Sequence, residues 1–266
     1  MGKGVSTAIV ALIVVIIFGI ATVSFQPSTQ NIESFIKKAS SEIQPSEVPG
    51  HTVSQTTAPS PDAKYITTNP INLTQIEKIS KFRSCEGHDF SGHNFLGQVE
   101  NNSSMKHYVM PLPEFLNDTA SVYAPFDGTV YVDGSHPEIG LGERGDALEL
   151  ISKLEPNAVF LFDHINILPT LKKGDQVKAG QPIGYAVTTG GHDFDLALRA
   201  INQPNAISHF GNTFDSVFNH MTPEVLAEYQ DVGLTKEALF FSKEFRDAHP
   251  CDFVSISKDG WVYLKH

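Results

Sequence analysis

The stretch LKKGDQVKAGQPIGYAV (171–187) sets glycines at positions 174, 180 and 184 between short apolar runs. Glycine adopts positive backbone φ angles without the steric cost that other residues meet. This spacing is therefore typical of tight turns that separate short strands. Working outward from it, the same pattern of short runs and turn residues extends towards the N-terminus.

Three further stretches have the composition of short strands. SVYAPFDGTVYVDG (121–134) has two alternating runs around Asp127-Gly128, a pair that favours a hairpin turn. DALELISK (146–153) and AVFLFDHINIL (158–168) follow it. Short strands at such spacing predict a mainly β domain, built as a small barrel or sandwich.

Helical signals lie on both sides of this region. TPEVLAEYQDVG (222–233) has a threonine cap, a proline at the first helical position and a glycine past the end. TKEALFFSKEFRDAH (235–249) predicts a second helix, and the final residues predict a hairpin around Asp259-Gly260. A helix is also expected from Asn72 to about Phe82. We expect the C-terminal helices to extend the β domain, because about 60 residues bury little surface alone.

The N-terminus has a different character. Residues 4–25 carry no charge and follow Lys3, and about 20 apolar residues suffice to span a bilayer. We expect a signal anchor over residues 1–25 that leaves the rest outside the cell membrane; a cleaved signal peptide is the alternative. Residues 26–80, rich in Ser, Thr and Pro, predict a spacer that includes a short helix at 31–43. Residues 81–266 then form the folded domain.

Charge and cysteine content narrow the possibilities further. The net charge of −11, without a basic stripe, argues against nucleic acid as a partner. The two cysteines, Cys85 and Cys251, both lie beyond the anchor, in a compartment that permits disulfides. We expect them to be bonded; two separate thiols are the alternative.

In this order, VYAPFDGTV, FLFDHINIL, LKKGDQVKAGQPIG and DFDLALR resemble the lysostaphin-like (LytM-type) zinc metallopeptidase domain, over about residues 105–200. Biotinyl and lipoyl carrier domains share two of these motifs, but they need a lysine displayed on a tight hairpin, and the sequence offers none there. The resemblance implies a β-barrel peptidase fold with a zinc ion. Such a zinc site needs three protein ligands and an open fourth position for water.

The ligand motifs of that family are eroded in this chain. The family binds zinc through H-x-x-x-D and the second histidine of H-x-H, while the first histidine of H-x-H and the histidine of Y-x-H-L assist the attacking water. The resemblance places His107 at the first ligand position, Pro111 at the aspartate, and Asp193 and Asp195 at the two H-x-H histidines. Only His164 matches the family residue.

Other assignments of the site remain open. A shift of register would place His192 in the H-x-H motif, but Phe194 would then occupy the ligand position. Without that shift, a third metal ligand could come from His192, His88 or Asp89. The alternation of DFDLALR places Asp193 and Asp195 on one face of a strand.

We expect His107, His164, Asp193 and Asp195 to converge at one end of the barrel. Neighbouring carboxylates should then raise the pKa of the two histidines. If the site is active, His164 and Asp193 are the candidate catalytic residues, and His107 and Asp195 the candidate zinc ligands.

Functions of different classes fit these observations. The first is a membrane-anchored extracytoplasmic protein with a non-catalytic binding or scaffolding domain, without a cofactor, directed at a cell-envelope polymer or a surface protein. The second is a zinc endopeptidase with substituted ligands that cuts envelope peptides. A purely structural surface module is the third. Bound metal distinguishes the first from the second.

Overall fold

The computed structural model describes residues 58–134, 145–188, 193–201, 212–254 and 260–266. The expected anchor (1–25) and the expected spacer helix (31–43) lie outside these residues. None of the described helices has the length and apolar character needed to span a membrane.

Strands dominate the described residues, so the prediction of a mainly β fold is confirmed. They are β1 (Ile76–Ser80), β2 (His93–Asn94), β3 (His107–Pro111), β4 (Ser121–Tyr123), β5 (Gly128–Gly134), β6 (Asp146–Ser152), β7 (Ala158–Ile167), β8 (Gln176–Val177), β9 (Pro182–Ala186), β10 (Phe194–Ala200), β11 (Thr213–Asp215) and β12 (Trp261–Tyr263).

These strands belong to one sheet with the order β12-β1-β3-β10-β7-β6-β5-β8. Of the remaining strands, β9 pairs with β4 and β7, and β11 pairs with β10 and β2. The sequence predicted a small barrel or sandwich; no pairing among the described strands joins β12 to β8, so this path is an open sheet.

Strand β10 lies near the middle of the sheet and is buried along its whole length. Phe194, Leu196 and Leu198 point into the main apolar core. Because successive side chains of a strand point to opposite faces, Asp195 and Arg199 lie on the other face. We call this side of the sheet the Asp195 face. The alternation predicted from DFDLALR is therefore confirmed.

The first predicted C-terminal helix is confirmed as α1 (Pro223–Asp231), with Thr222 at the N-cap position. The second is wrong as a continuous helix: a 3₁₀ turn at Glu237–Leu239 precedes α2 (Lys243–Ala248). The break occurs where the backbone pairs with Phe82, whose carbonyl accepts from Phe241 N at 3.0 Å. This tertiary pairing overrides the local helix signal.

The helix expected from Asn72 to Phe82 is wrong as well. The Asn72 side chain does cap a turn, but that turn is a 3₁₀ helix of three residues (Leu73–Gln75), and β1 follows it. Gln75 accepts a hydrogen bond from Ser121 N instead of completing a capping box. In β1, Ile76 and Ile79 are buried between β12 and β3. Sheet pairing decides this segment.

The hairpin expected around Asp127-Gly128 is also wrong. Strand β4 pairs with β9, whereas β5 pairs with β6 and β8. The Asp127 carboxylate accepts hydrogen bonds from Ala179 N and Lys178 Nζ, both at 2.9 Å. The turn is thus fixed to the neighbouring 178–179 turn.

The glycine motif behaves as its spacing predicted. Gly174 and Gly180 have φ angles of 92° and 77°. Gly184 is required for space instead, since a Cβ there would lie 2.5 Å from the carbonyl oxygen of Asn166. At the C-terminus, β12 pairs with β1, while the residues that would form the turn of the predicted last hairpin lie outside the described residues.

The domain begins earlier in the chain than expected. Tyr65, Ile66 and Ile71 are almost fully buried in the main core. The boundary predicted between residues 80 and 81 therefore lies within the folded part. These apolar residues stand in a stretch whose Ser, Thr and Pro content predicted a spacer.

The disulfide prediction is confirmed. Cys85 and Cys251 are bonded with their Cα atoms 5.3 Å apart, and the bond joins the segment after β1 to the C-terminal region.

Candidate functional site

Asp195 is the centre of a polar cluster on the Asp195 face. In the register of the sheet it lies opposite Asp163 of β7 and opposite Tyr108 of β3. Directly paired residues of antiparallel strands point to the same side, so the two carboxylates are neighbours. Asp195 is fully buried, whereas the Asp163 side chain is 27% exposed. The cluster is therefore open to solvent on the Asp163 side.

His164 joins the two carboxylates through an unusual backbone conformation. Its φ angle is 63°, in the left-handed region that residues other than glycine rarely occupy. Its Nε2 atom lies 3.9 Å from Asp195 Oδ2 and 4.0 Å from Asp163 Oδ2. Adjacent residues of one strand thus both reach Asp195. Backbone strain of this kind concentrates at functional sites.

A lysine completes the cluster. The Lys106 ammonium donates to Asp195 Oδ2, and both side chains are almost fully buried. The ammonium also lies 4.8 Å from the ring centres of Phe90 and Tyr108, a distance typical of cation–π contacts. The ammonium of Lys106 is therefore held by one carboxylate and two aromatic rings.

Charge within the cluster is set by burial and by these partners. Burial alone would lower the pKa of Lys106, but the charge and hydrogen bond of Asp195, together with Tyr108 and the charge of Asp163, outweigh burial and hold that pKa well above its usual range. The ammonium therefore stays charged at neutral pH. Burial raises the pKa of Asp193, and the charge of Asp195 raises it further.

Three of the four expected residues come together. His164 and Asp195 are neighbours, and Asp193 is close enough for its pKa to respond to both of them. His107 does not join them. It is paired with Leu196 and therefore points to the core side of the sheet.

His107 is held there by two hydrogen bonds. Its Nδ1 lies 2.8 Å from the carbonyl oxygen of Ser80, and its Nε2 lies 2.7 Å from Ser216 Oγ. The expected convergence is wrong for this residue, because strand alternation turns it away from Asp195. The expected rise in its pKa is wrong too: burial lowers the pKa of His107 to about 4.

That low pKa predicts a loss of stability in acid. The unfolded chain binds a proton near pH 6.5 and the native His107 only near pH 4, so stability falls as the pH drops between these values. From pH 7 to 4.5, we expect His107 to account for about 2.5 kcal/mol of the decrease. Urea unfolding at both pH values should show a decrease smaller by this amount in His107→Gln. An equal decrease in variant and wild type would contradict the assignment.

The alternative ligands have less direct roles. His192 lies outside the described residues. His88 lies at the edge of the cluster, where burial lowers its pKa and the charge of Lys106 lowers it further. Asp89 accepts hydrogen bonds from the backbone and side chain of Ser91.

A zinc ion can be tested against these side chains. Asp163, His164 and Asp195 each offer one ligand atom, and these atoms lie within 4.8 Å of one another. Carboxylate oxygens and an imidazole nitrogen suit zinc. However, the Lys106 ammonium is bonded to one of these ligands. A dication about 4 Å away would be repelled by roughly 8 kcal/mol at an effective dielectric constant of about 20. With Lys106 in place, the cluster does not fit a zinc ion.

Two members of the cluster were not predicted. Asp163 immediately precedes His164, and adjacent residues of a strand ordinarily point to opposite faces, so the pattern gives no signal that both lie in the cluster. Lys106 immediately precedes His107, the residue that the resemblance places at the first ligand position. The alternation of β3 places positions 106 and 108 on one face, yet only the pairing of β3 with β10 shows that this is the Asp195 face.

Neither a family model nor a curated protein sequence matches this chain. Among solved structures, it is similar to a zinc-containing peptidase from Vibrio cholerae, at 21% identity and a TM-score of 0.36, over 54% of this chain and 39% of that one. It is also similar to the catalytic domain of lysostaphin, an antimicrobial peptidase from Staphylococcus simulans, at 19% identity and a TM-score of 0.31, over 52% and 86% of the two chains.

A third similar structure is Csd3 from Helicobacter pylori, at 17% identity and a TM-score of 0.36, over 79% of this chain and 50% of that one. The chain thus spans half or less of the Vibrio and Helicobacter proteins. At these identities and TM-scores, function has to be argued from the residues of the chain itself. The solved structures similar to this chain include lysostaphin-like peptidases, the class that its motifs resemble.

Proposed function

We propose that this chain is a membrane-anchored extracytoplasmic protein whose lysostaphin-like domain is a non-catalytic binding or scaffolding module. Its partner on this proposal is a cell-envelope polymer or a surface protein. The uncharged N-terminal run supports the anchor, and the motifs shared with lysostaphin-like peptidases support the envelope partner.

The ion pair between Lys106 and Asp195 is the observation that carries the non-catalytic role. A hydrolytic zinc site needs its ligands free of other cations and a water bound to the metal. Here a buried ammonium is bonded to the central carboxylate. The other expected ligand, His107, is hydrogen-bonded within the core. These contacts support a domain that keeps the shape of a peptidase without its metal chemistry.

Sedimentation tests both the polymer partner and the non-catalytic role. The purified protein is mixed with insoluble peptidoglycan, with and without added Zn²⁺, and pelleted. We expect the protein to pellet with the polymer and to release no soluble fragments. Protein left in the supernatant would contradict a polymer partner, and fragments released with Zn²⁺ would contradict the non-catalytic role.

The topology is tested separately. Protease added to intact cells should remove the domain if residues 1–25 anchor it outside. Protection of the domain in intact cells, together with cleavage after lysis, would contradict the proposed topology.

A zinc endopeptidase with substituted ligands is the second candidate. The proximity of ligand atoms from Asp163, His164 and Asp195 favours it. This reading requires the Lys106 ammonium to leave Asp195 when metal binds. It therefore predicts zinc-dependent fragment release that is abolished in His164→Ala.

A further inference from the structure

We propose that the ammonium of Lys106 is a built-in replacement for a metal ion, and that removing its charge opens a divalent-metal site formed by Asp163, His164 and Asp195. The inference rests on the proposed function, in which the native site works without metal. It assigns a role to Lys106 and a ligand set that includes Asp163.

The three candidate ligands are placed almost closely enough to surround one ion. Zinc bound at about 2.1 Å holds its ligands roughly 3.4 Å apart in tetrahedral geometry. His164 Nε2 lies 3.9 and 4.0 Å from the nearest oxygens of Asp195 and Asp163. All three ligand atoms lie within 4.8 Å of one another, so each ligand–ligand distance would have to shorten by about 1.4 Å at most to place them around one ion. The exposed side of Asp163 and His164 leaves room for water as a further ligand.

One carboxylate oxygen of the cluster is a buried acceptor without a hydrogen bond among the described residues. Asp195 is fully buried, and within the described part of the chain its Oδ1 atom accepts no hydrogen bond. Buried carboxylate oxygens are costly unless they are paired or bound to a metal. Lys106 engages only Oδ2. A dication bound at the cluster could satisfy Oδ1 and supply the second positive charge.

Several acidic side chains share the cluster with Lys106. The carboxylates of Asp163 and Asp195 lie together, with Asp193 near enough to have its pKa raised by Asp195. Lys106 is the cation bonded to Asp195. Replacing its charged head with an apolar one of similar length leaves these carboxyl groups, of which Asp195 is fully buried, without that cation. Such a cluster favours a divalent cation over no cation at all.

The ligand set defines the class of metal. Two carboxylate oxygens and one imidazole nitrogen suit Zn²⁺, Co²⁺ and Mn²⁺, and offer none of the thiolate ligands that favour softer metals. Co²⁺ is a useful probe, because its visible absorption reports the number and type of its ligands.

The test compares Lys106→Met with the wild type, using Zn²⁺ and Co²⁺ alone as ligands. We expect Lys106→Met to bind one ion per chain and the wild type to bind none. Its dissociation constant for Zn²⁺ should be at least about 100-fold lower than that of the wild type. Added Zn²⁺ should raise the Tm of Lys106→Met and leave the Tm of the wild type unchanged.

Matched variants locate the site. Lys106→Met combined with Asp163→Asn, or with His164→Ala, should lose the Co²⁺ absorption. Lys78→Met removes a lysine from the neighbouring strand β1, where its ammonium contacts the Trp261 ring. This control should gain no metal.

The inference can be tested even if Lys106→Met does not fold without metal. If Lys106→Met does not fold alone, refolding with Zn²⁺ should restore it, while Lys106→Met/Asp195→Asn should fold without metal and bind none. A folded Lys106→Met that takes up no ion overturns the inference. The inference is also overturned if Lys106→Met stays unfolded with Zn²⁺ while Lys106→Met/Asp195→Asn folds. Neither result contradicts the proposed function, which concerns the wild-type protein alone.

Discussion

Replacing Cys85 and Cys251 together with serine is expected to lower the free energy of unfolding by about 5 kcal/mol. The bond joins residues 166 positions apart, and closing so long a loop removes much of the entropy of the unfolded chain in the chain-entropy model. A loss of this size approaches the whole stability of a typical domain. Urea unfolding of both proteins under non-reducing conditions measures the difference.

Reduction provides the control for this prediction. Wild-type protein unfolded in the presence of a reductant should match the double serine variant, because neither then has the cross-link. A variant as stable as the oxidised wild type would show that the bond contributes little. It would also show that the C-terminal region is held by packing alone.

Replacing Arg199 with methionine is expected to cost about 3–5 kcal/mol. The Arg199 guanidinium donates to both carboxylate oxygens of Glu149, from Nη2 at 2.8 and 2.7 Å, and both residues are buried on the Asp195 face. Removing one partner of a buried ion pair leaves the other charge unpaired away from water. Chemical unfolding at pH 7 measures the loss.

The double variant Arg199→Met/Glu149→Leu separates the unpaired charge from the lost packing. Because it leaves no buried charge, it should recover most of the stability. Lys178→Met is the control at the exposed ion pair with Asp127, where solvent screens the charges and we expect a far smaller loss than in Arg199→Met. A double variant no more stable than Arg199→Met would contradict this account.

Local signals in the sequence were enough for the parts of the fold that depend on the backbone alone. Gly174 and Gly180 require positive φ angles, and Thr222 with Pro223 begins a helix, as their residue types predict. Residues 72–82 show the limit. Asn72 does cap a turn, but pairing with β12 and β3 makes the following residues a strand.

The candidate site could be predicted only in part for a related reason. The pattern of β10 placed Asp195 on a polar face, and the motif around His164 pointed to the same end of the fold. The position of Lys106 depends on which residues of β3 lie opposite β10, and that register is a property of the assembled sheet. The side chains of Asp163 and His164 reach the same cluster because His164 has a positive φ angle, and no residue type in FDHI predicts that angle.

The metal content of the purified wild-type protein tests the central claim most directly. The claim is that the ammonium bonded to Asp195 occupies the place of a metal ion. After incubation with Zn²⁺ and removal of free metal, we predict no stoichiometric zinc in the wild-type protein. One zinc per chain, lost in Asp195→Ala and accompanied by peptide hydrolysis that His164→Ala abolishes, would contradict the claim and establish the zinc endopeptidase instead.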